Sequence, residues 1–114
     1  MKWHTEVLLI LAMTLVAFAA VRVDLRGAPA ADGAALYKKH CVMCHGADGK
    51  GFKALKAPDM TSPQWQASVK DEGIASVIKN GKKGTAMPAF GEKLTDDEIK
   101  ALVAHIRSLN SSKK

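Results

Sequence analysis

Two cysteines followed at once by a histidine, in the run Cys41-Val42-Met43-Cys44-His45, constrain this chain more than any other feature. The spacing C-x-x-C-H is the one by which two thiols attach a haem while the adjacent histidine reaches its iron. A thioredoxin-like redox pair would need a βαβ context, and a zinc site would need further cysteines or histidines at ligand spacing. The sequence offers neither, so we predict one covalently attached haem c per chain, with His45 as an iron ligand.

Without a cofactor, the rest of the chain is too short to form a large apolar core. These two cysteines are the only ones among 114 residues, so no thiol is left for a structural disulfide. Residues 31–114 are expected to form one small domain, whose apolar core alone would be marginal. We expect the haem to complete that core and the haem-free chain to be largely disordered.

Residues 1–30 have the character of an export signal or a membrane anchor. An uncharged run over residues 7–21 fits a signal peptide and is short for a spanning helix, which needs about 20 residues. The small residues at 28–30 suit cleavage by a signal peptidase, whereas the charges at Arg22 and its neighbours do not. Alternatively, the flanking residues could extend the apolar run into an uncleaved anchor over residues 3–23. Both possibilities place the following domain on the periplasmic side of the bacterial inner membrane.

Hydrophobic periodicity predicts an all-α domain. A first helix is expected from about Asp32, a suitable N-cap, into the haem motif. Residues 46–63 contain three glycines and two prolines without a sustained period, which predicts a long loop. Two shorter helices are expected at about 64–70 and 73–80. A capping box of Thr95 and Glu98 then predicts the start of a last amphipathic helix.

Several side chains could approach the iron from the face opposite His45. The candidates are Met43, Met60, Met87, His40 and His105. Met43 and His40 lie in or beside the attachment segment and cannot reach across the ring. Met87 lies in the segment 84–90 between two predicted helices, where Pro88 stiffens the chain and provides no competing backbone donor. We predict Met87 as the second iron ligand.

Five short segments together resemble the small class I c-type cytochromes, particularly the single-haem domains of bacterial respiratory oxidases and related carriers. They are residues 33–41, 45–51, 57–61, 84–90 and 94–99. The resemblance covers nearly the whole domain and implies a small cytochrome c fold in which the first and last helices cross near Gly33. It implies His45 and Met87 as axial ligands, with the carbonyl of Pro58 accepting the second N–H of His45. Trp65 matches a tryptophan that bonds a haem propionate in many relatives, although plain core packing is an alternative.

The chain departs from this family at His105, where relatives usually have an aromatic residue. Its ring is expected to pack at the helix crossing, and a pH-sensitive contact or substitute ligand is the alternative. Met60 is expected to be a core residue beside the haem edge.

Filled axial positions favour a one-electron carrier over an enzyme with a small-molecule substrate. A thioether ligand stabilises ferrous iron and so raises the reduction potential. Two other functions stay open at this point. The protein could be a fixed subunit of a membrane electron-transfer complex, or a haem sensor or peroxidase if the methionine is labile.

The chain is basic, with 17 Lys and Arg, 11 Asp and Glu and a formal charge of +6. Several lysines flank the haem-bearing segments. They are Lys38, Lys39, Lys50, Lys53, Lys82 and Lys83. They could steer docking onto acidic redox partners, or form an ordinary solvated surface. Aromatic residues are few and are not interleaved with basic stretches, so nucleic-acid binding is not expected.

Overall fold

The computed structural model describes Trp3 and residues 30–113, and every regular element within that part is helical, as predicted. The α-helices are α1 (Gly33–His40), α2 (Val42–His45), α3 (Pro63–Ser68), α4 (Asp71–Asn80) and α5 (Asp96–Ser108). Short 3-10 helices, Lys53–Leu55 and Ser111–Lys113, lie in the long loop and after α5. The signal or anchor predicted for residues 1–30 lies almost wholly outside the described residues. Among those described, no helix has the length and apolar character needed to cross a membrane.

Side-chain caps start the first and last helices where the sequence predicts them. The carboxylate of Asp32 accepts hydrogen bonds from the amides of Ala34 and Ala35 at 3.0 and 3.1 Å. At the start of α5, the Glu98 amide donates to the Thr95 hydroxyl at 3.2 Å, and the Thr95 amide donates to the Glu98 carboxylate at 2.8 Å. Both helices therefore begin at fixed residues, which sets the register in which their apolar faces meet.

Helices α1 and α5 cross with their backbones in close contact at Gly33. A Cβ atom at this position would lie 2.1 Å from the carbonyl oxygen of Ala101, so only glycine permits this approach. One turn further on, Tyr37 is buried, and its ring centroid lies 4.9 Å from that of His105. The crossing lies where the family resemblance places it, and the ring of His105 packs there as expected.

Among residues 30–113, nine apolar side chains form the buried core. They are Tyr37, Met60, Ile74, Ile78, Leu94, Ile99, Leu102, Val103 and Ile106. Of these nine, only Leu102 has no exposed surface. Phe52 and Leu55 in the long loop and Val77 on α4 are 50%, 41% and 37% exposed, which leaves apolar surface that a cofactor could cover. The marginal stability expected of the polypeptide alone stays a prediction.

A buried polar contact, which no sequence pattern predicts, joins α3 to α5. The Nε2 atom of Gln66 donates to the carbonyl oxygens of Met60 and Ile106 at 2.6 and 2.9 Å. Arg107 donates to the backbone carbonyl and side-chain oxygen of Gln66 at 2.7 and 3.1 Å, and to Asp71 at 2.7 Å. Because Gln66 is buried, its hydrogen bonds satisfy polar groups that would otherwise lose their hydration, whereas the contact between Arg107 and Asp71 is exposed.

Candidate haem site

Cys41, Cys44 and His45 lie on one turn directly after α1. The amides of Cys44 and His45 both donate to the carbonyl oxygen of Cys41, at 3.2 and 2.9 Å. Both cysteines are free thiols with partly buried side chains. Burial, with a smaller contribution from the neighbouring Cys44, raises the pKa of Cys41 to about 11, so this sulfur stays protonated at neutral pH. Two free thiols on one helical turn are the arrangement that thioether attachment of haem requires.

The imidazole of His45 has the chemistry of an iron ligand. Its side chain is partly buried, and burial lowers its pKa, which favours the neutral form that binds metals. Its Nδ1 atom is buried and has no hydrogen-bond partner among the described residues. A buried polar atom without a partner is uncommon in a folded protein. The two ring nitrogens of a ligating histidine have different partners, so Nδ1 is the atom for a protein acceptor such as the predicted Pro58 carbonyl, and the other nitrogen is the one that would bind iron. With two thiols on the same turn, the residues present fit a haem.

The chain leaving His45 is fixed by Tyr37, a role that sequence reasoning missed. The Tyr37 hydroxyl donates to the carbonyl oxygen of Gly46 at 2.8 Å. Burial, followed by the nearby Cys41 and Asp48, raises the pKa of Tyr37 to about 12, so the hydroxyl remains a donor at neutral pH. This hydrogen bond connects the crossing of α1 and α5 directly to Gly46, the residue after His45.

The long loop returns to the attachment segment at Pro58. Amides of Gly51 and Phe52 donate to the carbonyls of His45 and Cys44 at 2.8 and 3.2 Å. A Cβ atom at Gly51 would lie 2.7 Å from the carbonyl oxygen of Pro58, so this carbonyl lies beside the chain leaving the motif. It makes no hydrogen bond to His45 in the structure, where Nδ1 is unpaired. The predicted bond between the two therefore stays a prediction.

The segment containing Met87 lies beside the start of the attachment segment. Met87 is half-buried and packs against the core. The ring of Phe90, three residues on, makes an edge-on contact with His40, with ring centroids 5.8 Å apart. Because His40 directly precedes Cys41, this contact brings the Met87 segment beside the attachment segment.

The structure also describes the other residues that the sequence suggests as haem contacts or iron ligands. Trp65 is partly buried against the core. Met60 is a buried core residue, as expected, and Met43 is 89% exposed. Within residues 30–113, no group of three or more His, Cys, Asp or Glu side chains could hold a metal ion, which gives the zinc alternative no ligand set there.

An all-helical domain with C-x-x-C-H on the turn after its first helix belongs to the class I c-type cytochromes. A family model described as cytochrome c oxidase, cbb3-type, subunit III matches residues 28–106. The chain therefore belongs to that family. Membership brings with it a covalently bound haem c, and electron transfer as the kind of process that this domain serves.

Two curated relatives show the extent of the similarity. The cbb3-type cytochrome c oxidase subunit FixP of Bradyrhizobium diazoefficiens is 33% identical over 88 residues, which are 77% of this chain and 30% of that protein. The subunit CcoP of Rubrivivax gelatinosus is 34% identical over 94 residues, covering 79% of this chain and 31% of that protein. The chain thus spans less than a third of the length of these relatives.

Solved structures confirm the cytochrome c fold. The KustC0563 c-type cytochrome is 40% identical, with a TM-score of 0.66, and the match covers 70% of this chain and 99% of that one. Cytochrome cL from Hyphomicrobium denitrificans is 28% identical, with a TM-score of 0.58 and coverage of 68% and 45%.

Proposed function

We propose that this protein is a fixed haem subunit of a membrane electron-transfer complex, which passes single electrons at the periplasmic side of the inner membrane. The match to a cbb3-type oxidase subunit family over residues 28–106 is the observation that carries this proposal. Two curated relatives are named as oxidase subunits, and the predicted anchor over residues 3–23 would hold the domain beside its neighbour. The domain performs no catalytic step of its own under this proposal.

Different residues attach the haem and bind its iron. Cys41 and Cys44 hold the macrocycle, and the neutral ring of His45 binds the iron. Met87 supplies the second ligand and closes the iron to oxygen and other small molecules. The bound haem iron supplies one-electron oxidation and reduction. The protein sets how buried the ring is and which ligands it has, and both determine the reduction potential.

Ligation by Met87 is tested by the visible spectrum of the ferric holoprotein. A thioether on ferric haem gives a weak far-red absorption band, which Met87→Ala should abolish while lowering the reduction potential. Met43→Ala is the matched control, since Met43 is 89% exposed and its removal should leave the band unchanged. A wild-type protein that lacks the band and binds carbon monoxide readily when reduced would instead favour the sensor or peroxidase alternative.

The fixed-subunit proposal is tested by purification from membranes in mild detergent. We expect the tagged full chain to remain in the membrane fraction after a high-salt wash and to co-purify with one oxidase-type complex in constant stoichiometry. Recovery of the chain alone in the soluble periplasmic fraction would contradict the proposal.

A freely diffusing carrier is the second candidate, and one observation favours it. The match to the KustC0563 c-type cytochrome covers 99% of that chain, so a single domain of this kind also occurs without further parts in that structure. A soluble, monomeric holoprotein in the periplasm that restores electron transfer when added back would establish this alternative.

Lysines on the haem-bearing segments support docking onto an acidic partner. All six that flank these segments are exposed: Lys38, Lys39, Lys50, Lys53, Lys82 and Lys83. Positive charge near the electron-transfer site would speed encounter with an acidic surface, an effect that salt weakens. Replacing Lys82 and Lys83 by Gln should slow electron transfer at low salt, whereas the matched pair of exposed lysines Lys70 and Lys100 should have less effect. Equal slowing by both pairs would leave only the general charge of the protein as the cause.

A further inference from the structure

The loop that contains Met87 is held mainly by bonds within itself. Residues 82–86 are all exposed, so the tip of the loop has little packing to fix it. Gly81 ends α4, and the amide of Lys82 then donates to the carbonyl oxygen of Met87 at 3.1 Å, which closes the loop at its base. The amide of Phe90 donates to Ile78 at 2.9 Å and fixes the far end.

Inside this loop, the Thr85 hydroxyl is the only side-chain group that bonds the backbone on both sides. It donates to the carbonyl oxygen of Lys82 at 2.7 Å and accepts from the amide of Met87 at 3.2 Å. Met87 is thus bonded twice within its own loop, through its carbonyl to Lys82 and through its amide to Thr85. Removal of the hydroxyl would leave the Met87 amide without its intraprotein acceptor.

We propose that Thr85 is a positioning residue for Met87, because its hydroxyl fixes the backbone from which the thioether approaches the iron. The inference rests on the proposed function, in which Met87 is the second iron ligand. Loss of the hydroxyl would widen the range of Met87 backbone conformations and so raise the fraction of molecules in which the thioether is detached. A ligand that competes for the iron detects that fraction directly, because its apparent affinity scales with the population that can bind it.

The test compares Thr85→Val with Thr85→Ser and with Thr61→Val in the ferric holoprotein, using imidazole as the competing ligand. Thr61 is the matched control, since its hydroxyl also closes a turn by a hydrogen bond, to Asp59 at 2.6 Å, in a different loop. We expect Thr85→Val to bind imidazole roughly fivefold more tightly than wild type, the effect of losing one or two exposed hydrogen bonds. Thr85→Ser keeps the hydroxyl and should stay within about twofold of wild type. Thr61→Val should match wild type.

Hydrogen exchange at the Met87 amide provides a second readout. Exchange in the intact holoprotein should accelerate in Thr85→Val and remain close to wild type in Thr85→Ser. The inference is overturned if wild type shows the far-red band but Thr85→Val has wild-type imidazole affinity and amide protection. It is also overturned if Thr61→Val raises imidazole affinity as much as Thr85→Val, since the effect would then be general destabilisation. Loss of the far-red band in wild type itself would remove the proposed function and this inference together.

Discussion

The attachment segment, residues 41–46, and the Met87 loop, residues 81–91, are held in place by different kinds of bond. The attachment segment is helical, and the helix crossing fixes its end through the Tyr37 hydroxyl, which bonds Gly46 at 2.8 Å. The Met87 loop has no helix, and its exposed residues 82–86 are tied by turn bonds and one threonine hydroxyl. If Met87 is the second ligand, as proposed, one side of the iron is fixed by the fold and by covalent attachment, whereas the other is fixed by a few local contacts and is the easier side to alter.

The largest expected effect is the loss of covalent attachment. Replacing Cys41 and Cys44 together by Ser removes both thioether bonds, and the haem should then extract completely into acidified organic solvent. Wild-type haem should stay with the chain under the same treatment. Met43→Ser is the control, because it adds a hydroxyl between the two cysteines at an 89% exposed position and should leave attachment intact. Retention of haem by the double variant would refute the assignment of these thiols.

Support for the attachment segment can be weakened at the helix crossing. Gly33→Ala would place a Cβ 2.1 Å from the carbonyl oxygen of Ala101, so α1 and α5 must separate. We expect the free energy of unfolding of the holoprotein to fall by about 1–3 kcal/mol in denaturant titrations.

Gly73→Ala in α4 is the matched control for Gly33→Ala. Its Cβ would meet only the side chain of Val69, at 3.4 Å, and alanine favours helix over glycine. Stability should therefore rise by up to about 1 kcal/mol. Similar losses in the two variants would show that the crossing does not depend on close contact at Gly33.

The base of the Met87 loop should be sensitive at Gly81 and less so at Gly84. Both residues have positive φ, 73° and 77°, so alanine costs about 1 kcal/mol at either position. A Cβ at Gly81 would also lie 2.9 Å from the carbonyl oxygen of Met87, whereas one at Gly84 would meet nothing within 4 Å. The far-red band should therefore disappear at a lower denaturant concentration in Gly81→Ala than in Gly84→Ala. Equal midpoints would show that backbone strain alone governs the loop.

The smallest expected effect concerns the contact between α4 and α5. Lys79 donates to Asp96 at 2.8 Å, and this hydrogen bond, with the lysine charge, holds the pKa of Asp96 below its ordinary value of 3.8. A carboxyl with a lowered pKa in the folded state stabilises the fold above its unfolded pKa, and that stability is lost as pH falls through the folded pKa. Asp96→Asn should slightly lower the unfolding midpoint at pH 7, because the pair is exposed.

The difference between Asp96→Asn and wild type should close as the solution is acidified below about pH 4. Asp97→Asn is the matched control, since it removes a neighbouring charge from the first turn of α5 without touching the contact to Lys79. A difference that persists unchanged in strong acid would exclude the ionised carboxylate as its source.

Local signals made much of the fold predictable. Asp32 and the Thr95 and Glu98 pair identified helix starts because capping depends on residues three or fewer positions apart. The contact between Gln66 and Arg107 was not predictable, because it joins residues 41 positions apart through polar groups that have no periodic signature. The two hydrogen bonds of the Thr85 hydroxyl were not predictable either, since a threonine in a glycine-containing loop is common. Only the path of the loop brings the Lys82 carbonyl and the Met87 amide to this hydroxyl.

The sequence by itself determined the haem chemistry, because C-x-x-C-H places two thiols and an imidazole within five consecutive residues and needs only one helical turn to align them. It also determined the helical class, through periodicity and caps. Only the tertiary structure decided that Tyr37 bonds the residue after His45, that Pro58 returns beside the attachment segment, and that Phe90 brings the Met87 loop against His40. These are contacts between segments distant in the chain, and they depend on how the helices pack and where the loops must pass.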